Sequence, residues 1–184
     1  NPYHAPMAAL NEELNGFGGR RFNEIRSRQG LAYSVYAFWS PRYDHNGIFI
    51  GGGQTRTEAT VPFIQSMYSE LEKVRQSPIT ETELAFAKDS VLNSFVFNFQ
   101  TPNQTLSRLI RYEYYDYPSD FVFQFRDQVE NATVEQVLEA AQTMLDPEKL
   151  ITVVVGNREA IAPPLETLGP DITPLDVTIP APTA

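Results

Sequence analysis

The stretch "RFNEIRSRQGLAYSV", residues 21–35, changes character at a single glycine. Before Gly30, Phe22 and Ile25 fall at helical spacing among charged residues; after it, "LAYSVYAFW" (31–39) is aromatic and β-branched. A helical period giving way to strand composition marks a helix-to-strand corner, and glycine ends helices because it enters the left-handed region cheaply. Arg26 lies four residues after Phe22, so it borders the buried stripe of that helix. Leu31, Tyr33 and Val35 are expected to share one strand face, since strand side chains alternate. A guanidinium and a phenol held on either side of this corner offer hydrogen-bond donors suited to an oxygen that becomes negative during acyl transfer. The plainer alternative is an Arg favoured by the helix dipole and a half-buried core Tyr.

Outward from the corner, residues 5–14 read as a helix with Met7, Leu10 and Leu14 on one side, and "NGFGG" (15–19) breaks it. Residues 20–28 resume a helix. "SPRYDHNG" is a turn and "IFIGGG" a second strand, so the two strands form an antiparallel hairpin; the alternative for "GGG" is a break that turns the chain. The period then becomes helical over 57–76. Thr80 with Glu83 makes a capping box opening a helix through Asn98, with Leu84, Ala87, Val91 and Phe95 inward. Pro102 starts the next helix, through Tyr115, and Ser119 opens another, through Val129. Thr133 with Gln136 repeats the capping box before Val134, Val137, Leu138 and Ala141. "LITVVVG" (150–156) is a continuous apolar run and reads as a buried strand.

These elements give the α+β class: helices packed on one face of a mostly antiparallel sheet. Residues 1–158 form the domain and 159–184 a proline-rich tail, linker or surface wrap. Three strands are few for so many helices, so N-terminal strands are expected to be missing from this stretch. The opening "NPYHAPMAAL" enters a helix at once, and the chain is read as a piece of a longer polypeptide.

Charge and composition exclude several classes. The 184 residues carry a net charge of −9 and a pI near 4.7, which argues against a nucleic-acid surface. No apolar run approaches the roughly 18 residues of a membrane span, and the absence of cysteine excludes disulfides and thiolate metal sites. His4 and His45 are the only histidines, neither has a partner at helical spacing, and both read as surface groups rather than metal ligands. "NGFGGRRF" fails the Gly-x-Gly-x-x-Gly phosphate-loop pattern because Arg21 stands where glycine is needed, and "GGGQTRT" lacks Gly-Lys-Ser/Thr. "RYEYYDY" (111–117) is a partner-facing aromatic patch or, as the more ordinary reading, part of a core.

The stretch "LNEELNGFGGRRFNEIRSRQGLAYSVYA" resembles the C-terminal half of pitrilysin/insulinase-type zinc metallopeptidases, the inverzincin family. Arg20, Phe22, Ile25, Arg26 and Gly30 through Val35 carry the match; "ITETELAFAKDSVLNSF", "ATVEQVLEAAQTML" and "DPEKLITVVVGN" follow in the family's order. The resemblance implies a half-domain without zinc ligands, LuxS/MPP-like in fold, that closes a chamber against a zinc-carrying half bearing His-x-x-Glu-His. It implies a peptide substrate, zinc held by that other half, and catalytic roles for Arg26 and Tyr33 at the scissile carbonyl. Gly16, Gly18, Gly19 and Arg20 correspond to a loop implicated in substrate handling. Arg21 in place of the usual Leu, and Asn15 within the glycine run, depart from the pattern. The family also includes non-catalytic partner subunits, so a scaffold or substrate-binding role stands beside the enzymatic one.

Overall fold

A computed structural model describes residues 1–15, 25, 30–45 and 47–178 of the chain. The corner at Gly30 is built on a left-handed glycine: its φ is +60° and the Leu31 N–H donates to the Ile25 carbonyl at 3.3 Å. A Cβ at Gly30 would meet nothing within 4 Å, so the requirement for glycine here is one of backbone conformation and not of space. Ile25 is fully buried, which anchors the corner to the core. The expected helix over 20–28 otherwise lies outside the described residues.

Helix α1 (His4–Asn15) buries Met7, Leu10 and Leu14, as their spacing requires. Strands β1 (Ala32–Ser40) and β2 (Ile48–Thr55) pair antiparallel, with Tyr36 opposite Gly52, Ala37 opposite Gly51 and Phe38 opposite Ile50. The Asn11 side chain ties α1 to this hairpin: its Oδ1 accepts the Trp39 N–H at 2.6 Å. The three glycines therefore belong to β2 and do not turn the chain. Their role is clearance. A Cβ on Gly53 would collide with the Ser34 carbonyl oxygen and stand 2.7 Å from Phe63 Cζ; one on Gly52 would stand 2.9 Å from the Tyr36 hydroxyl.

Helices α2 (Thr60–Gln76), α3 (Glu81–Ser94), α4 (Pro102–Tyr114), α5 (Phe121–Glu130) and α6 (Val134–Met144) follow. Both capping boxes read from the sequence form, at Thr80/Glu83 and Thr133/Gln136, and a third forms at Thr101/Gln104. Helix α3 ends earlier than expected: Phe95–Phe99 tightens into a 3₁₀ segment, where a run of aromatic residues replaces good helix formers. Helix α5 likewise opens at Phe121 rather than at Ser119.

One core joins these elements. Met7, Leu10 and Leu14 of α1 meet Ala37 of β1, Phe63, Ile64, Met67 and Leu71 of α2, Leu84 and Ala87 of α3, and Val137, Ala140 and Ala141 of α6. Each of the larger side chains contributes about 1.5–3 kcal/mol by leaving water. The helices named here cover the face of the hairpin that carries Ala37, Gly51 and Gly53. The opposite face, with Tyr36, Phe38, Ile48 and Ile50, is exposed.

Residues 150–156 correct the expectation of a buried strand. Among the described residues they pair with no strand, and Ile151, Val153 and Val155 are 90%, 71% and 97% exposed. Leu150 and Val154 pack on the core, and the Thr152 hydroxyl lies 2.9 Å from that of Tyr68. The run has a strand's alternation without a ladder among the described residues: Leu150 and Val154 face the core, and Ile151, Val153 and Val155 face outward. Beyond it, a 3₁₀ segment at Leu165–Leu168 rests against α2, and its Glu166 pairs with Arg158 of the preceding turn at 2.5 Å.

Candidate functional site

Tyr33 is where the structure departs most usefully from simple alternation. Ala32 pairs with Thr55 and Ser34 with Gln54, so Tyr33 is the extra residue of a β-bulge. The expectation that Leu31, Tyr33 and Val35 share a face is thereby corrected. Ala32, Val35, Ala37 and Trp39 turn toward the core, while Tyr33 points away and is 83% exposed. Without the bulge, alternation back from Val35 would send Tyr33 inward. The half-buried core reading of this tyrosine is excluded. The bulge is fastened at its base, where the Thr55 hydroxyl donates to the Leu31 carbonyl.

Arg26, Gly16, Gly18, Gly19 and Arg20 lie outside the described residues, so of the sequence-derived site Tyr33 is the member whose placement is seen. It stands at the end of the same strand whose outward residues, Tyr36 and Phe38, form an exposed apolar strip with Ile48 and Ile50 of β2. The Tyr36 and Phe38 rings stack, with centroids 6.2 Å apart. A phenol on the rim of an apolar strip is a hydrogen-bond donor beside a surface with little competing polarity.

The histidines divide. His45 sits in the hairpin turn, with Nδ1 accepting the Gly47 N–H at 3.0 Å and Nε2 at 3.7 Å from Asp44. His4 is no surface group, contrary to the sequence reading. Its ring lies 5.5 Å from Trp39, 5.7 Å from Phe121 and 4.7 Å from Phe125, centroid to centroid. Burial there lowers its pKa to about 4. Among the described residues no group of three or more His, Asp or Glu could hold a metal ion, so they do not fit a zinc site.

Two cavities flank the hairpin. One, of about 600 Å³, lies between its turn and helices α1, α3, α4 and α5, and its wall is aromatic, with Trp39, Tyr43, Tyr112, Tyr117, Phe121 and Phe125; the Tyr117 hydroxyl donates to the Tyr43 carbonyl at 3.2 Å. The "RYEYYDY" stretch therefore splits: Tyr112 is buried in this wall, whereas Tyr114 is exposed. The second, of about 650 Å³, lies between β2, α2 and residues 150–156.

This α+β arrangement, an antiparallel hairpin covered on one face by helices, has known counterparts. The family model described as the peptidase M16 inactive domain matches residues 1–91. A solved peptidase M16 inactive domain from Pseudomonas fluorescens superposes with a TM-score of 0.71 at 27% identity, covering 81% of this chain and 36% of that one. An "uncharacterized zinc protease" of Mycobacterium leprae is 30% identical over 147 residues, covering 76% of this chain and 32% of the relative. A "non-peptidase homolog" of Helicobacter pylori is 23% identical over 145 residues, covering 78% and 33%. The chain is a C-terminal, zinc-free half of the M16 peptidase type. It spans about a quarter to a third of the length of the curated relatives it matches.

No helix among the described residues is long and apolar enough to cross a membrane.

Proposed function

We propose that this chain is the substrate-handling half of a zinc-dependent endopeptidase, working opposite a half that carries the metal. In this reading the two halves enclose an extended peptide. The Tyr33 hydroxyl donates a hydrogen bond to the scissile carbonyl oxygen, and Arg26 supplies a second, charged donor as negative charge grows on that oxygen. Zinc, held by the other half, would supply Lewis-acid chemistry; the residues of this chain bind, orient and stabilise. Gly16, Gly18, Gly19 and Arg20 would contact the substrate backbone beside them. The observation that carries the reading is the bulge at Tyr33: it spends a ladder position to turn a phenol out of the core, and bulges of this kind re-aim side chains at functional sites. The exposed strip of Tyr36, Phe38, Ile48 and Ile50 supports it as an apolar chamber wall.

A second reading is favoured by the Helicobacter pylori relative, whose name denies it peptidase activity. Here the half-domain is a scaffold or substrate-binding partner without a chemical role. Tyr33→Phe in the intact, zinc-loaded enzyme separates the two. The enzymatic reading expects kcat to fall about 100-fold with zinc content unchanged. An unaltered rate, or an intact protein that cleaves no peptide, leaves the scaffold.

A further inference from the structure

The cavity at the hairpin turn holds two half-buried charges of opposite sign, and among the described residues neither has a counter-ion. Arg108, on α4, donates to the Tyr112 hydroxyl at 3.3 Å and to Asn98 Oδ1, both neutral oxygens, and its buried Nε has no hydrogen-bond partner. Glu12, on α1, accepts the hydroxyl of Ser90 on α3 at 2.5 Å and pairs with no cation. A half-buried ion without a partner has given up hydration that nothing returns. The two do not form a salt bridge with each other, because each is tied to a neutral group on a different element. Arg42 and Asp44, at the rim, are exposed and opposite in sign, so they bias the cavity little. Much of the remaining wall is rings: Trp39, Tyr43, Tyr117, Phe121, Phe125 and the neutral imidazole of His4. Tyr112 adds a donor. Burial holds its pKa above the ordinary phenol value, so the hydroxyl that accepts from Arg108 keeps its own proton to give.

We propose that this cavity binds a small zwitterion bearing an aromatic ring: an aromatic α-amino acid, or a dipeptide that contains one. The ligand's carboxylate meets Arg108 and the Tyr112 hydroxyl, its ammonium meets Glu12, and its ring joins the aromatic wall. The charges select this occupant. An apolar ligand would dry both ions without pairing either. A simple anion would leave Glu12 uncompensated, and a simple cation would leave Arg108 so; a zwitterion answers both. The volume of about 600 Å³ falls within the roughly 300–1,000 Å³ of small-molecule sites. Both ions are already fixed, Arg108 by two acceptors and Glu12 by Ser90, so binding has little left to order. The site lies at the turn end of the hairpin, whereas Tyr33 stands at the start of β1, so the inference is independent of any role for Tyr33.

Isothermal titration calorimetry of the intact polypeptide tests this, with L-phenylalanine, L-tryptophan, phenylalanyl-glycine and glycyl-phenylalanine as probes. At least one should bind with a Kd of about 1 mM or below, and whether the tightest is an amino acid or a dipeptide identifies the source of the zwitterion. Its N-acetyl form, which lacks the ammonium, and its amide, which lacks the carboxylate, should each bind at least about 10-fold more weakly. For phenylalanine these are N-acetylphenylalanine and phenylalaninamide. Glu12→Gln, which can still accept from Ser90, should erase the preference over the N-acetyl form and keep the preference over the amide. Arg108→Gln should do the converse. If Arg108→Gln does not fold, Arg108→Lys, which keeps the charge but not the fork of donors, should retain the preference over the amide with affinity about 10-fold lower. No binding of any of the four probes at about 10 mM, blocked forms that bind as tightly as the free zwitterion, or preferences unmoved by these substitutions overturn the proposal. The titration involves no peptide cleavage, so its failure leaves the reading of Tyr33 untouched.

Discussion

The hairpin at residues 32–55 and the run at 150–156 are equally strand-like in sequence, and only the first forms a ladder. "LAYSVYAFW" finds "IFIGGG" eight residues away, across a turn of proline, aspartate and glycine, so its pairing is local. "LITVVVG" has no such neighbour in sequence, and its alternation is spent holding Leu150 and Val154 to the core while Ile151 and Val155 face water. Alternation specifies which faces a segment can offer; a ladder needs an edge within reach. The difference separates what a chain encodes locally from what it needs its distant parts to supply.

The sharpest way to break the contrast is at Gly53. A methyl group there collides with the Ser34 carbonyl and presses on Phe63, so Gly53→Ala should cost about 3 kcal/mol in denaturant unfolding. A cost under roughly 0.5 kcal/mol would mean that the two strands are not packed as closely as described. The hairpin's far end gives the next largest effect. His4, under Trp39, stays neutral in the folded state until about pH 4, whereas in the unfolded chain it takes up a proton near pH 6.5. Stability is therefore complete above pH 6.5 and declines as pH falls toward 4, by about 3 kcal/mol from this group. His4→Phe should flatten that segment of the stability–pH curve; an unchanged slope would place the histidine in water. The smallest effect belongs to the unpaired run. In the 184-residue chain, Val155→Ser should change stability by less than about 0.5 kcal/mol, because the side chain is 97% exposed. A larger cost would take Val155 out of water and against a packed neighbour.

Much of this architecture was legible because it is local. Thr80 with Glu83 and Thr133 with Gln136 carry their own hydrogen-bonding logic within four residues, and both caps form where that logic puts them. Thr101 with Gln104 carried the same signal, although Pro102 alone was enough to start that helix. The helical spacing of Met7, Leu10 and Leu14 likewise located a buried face without knowledge of its partner. Three features were hidden because they depend on what lies across space. His4 reads as polar until Trp39, Phe121 and Phe125 are brought around it. The exposure of Ile151, Val153 and Val155 is the second case, since an apolar run does not itself say whether a strand edge lies within its reach. The bulge is the third case: nothing in "LAYSVYA" distinguishes unbroken alternation from alternation with one residue inserted, and the distinction appears only when Thr55 and Gln54 are set opposite Ala32 and Ser34. Of the candidate site, the sequence supplied the residue types and their spacing, while the orientation of Tyr33 came from that register.

Because Tyr33 is the residue without an opposite number, its side chain can be exchanged without disturbing the pairing on either side. Position 33 is in that sense a socket. A histidine, glutamine or arginine placed there would be presented from the same spot by an unaltered hairpin, so the chemistry on offer can be retuned separately from the scaffold that displays it.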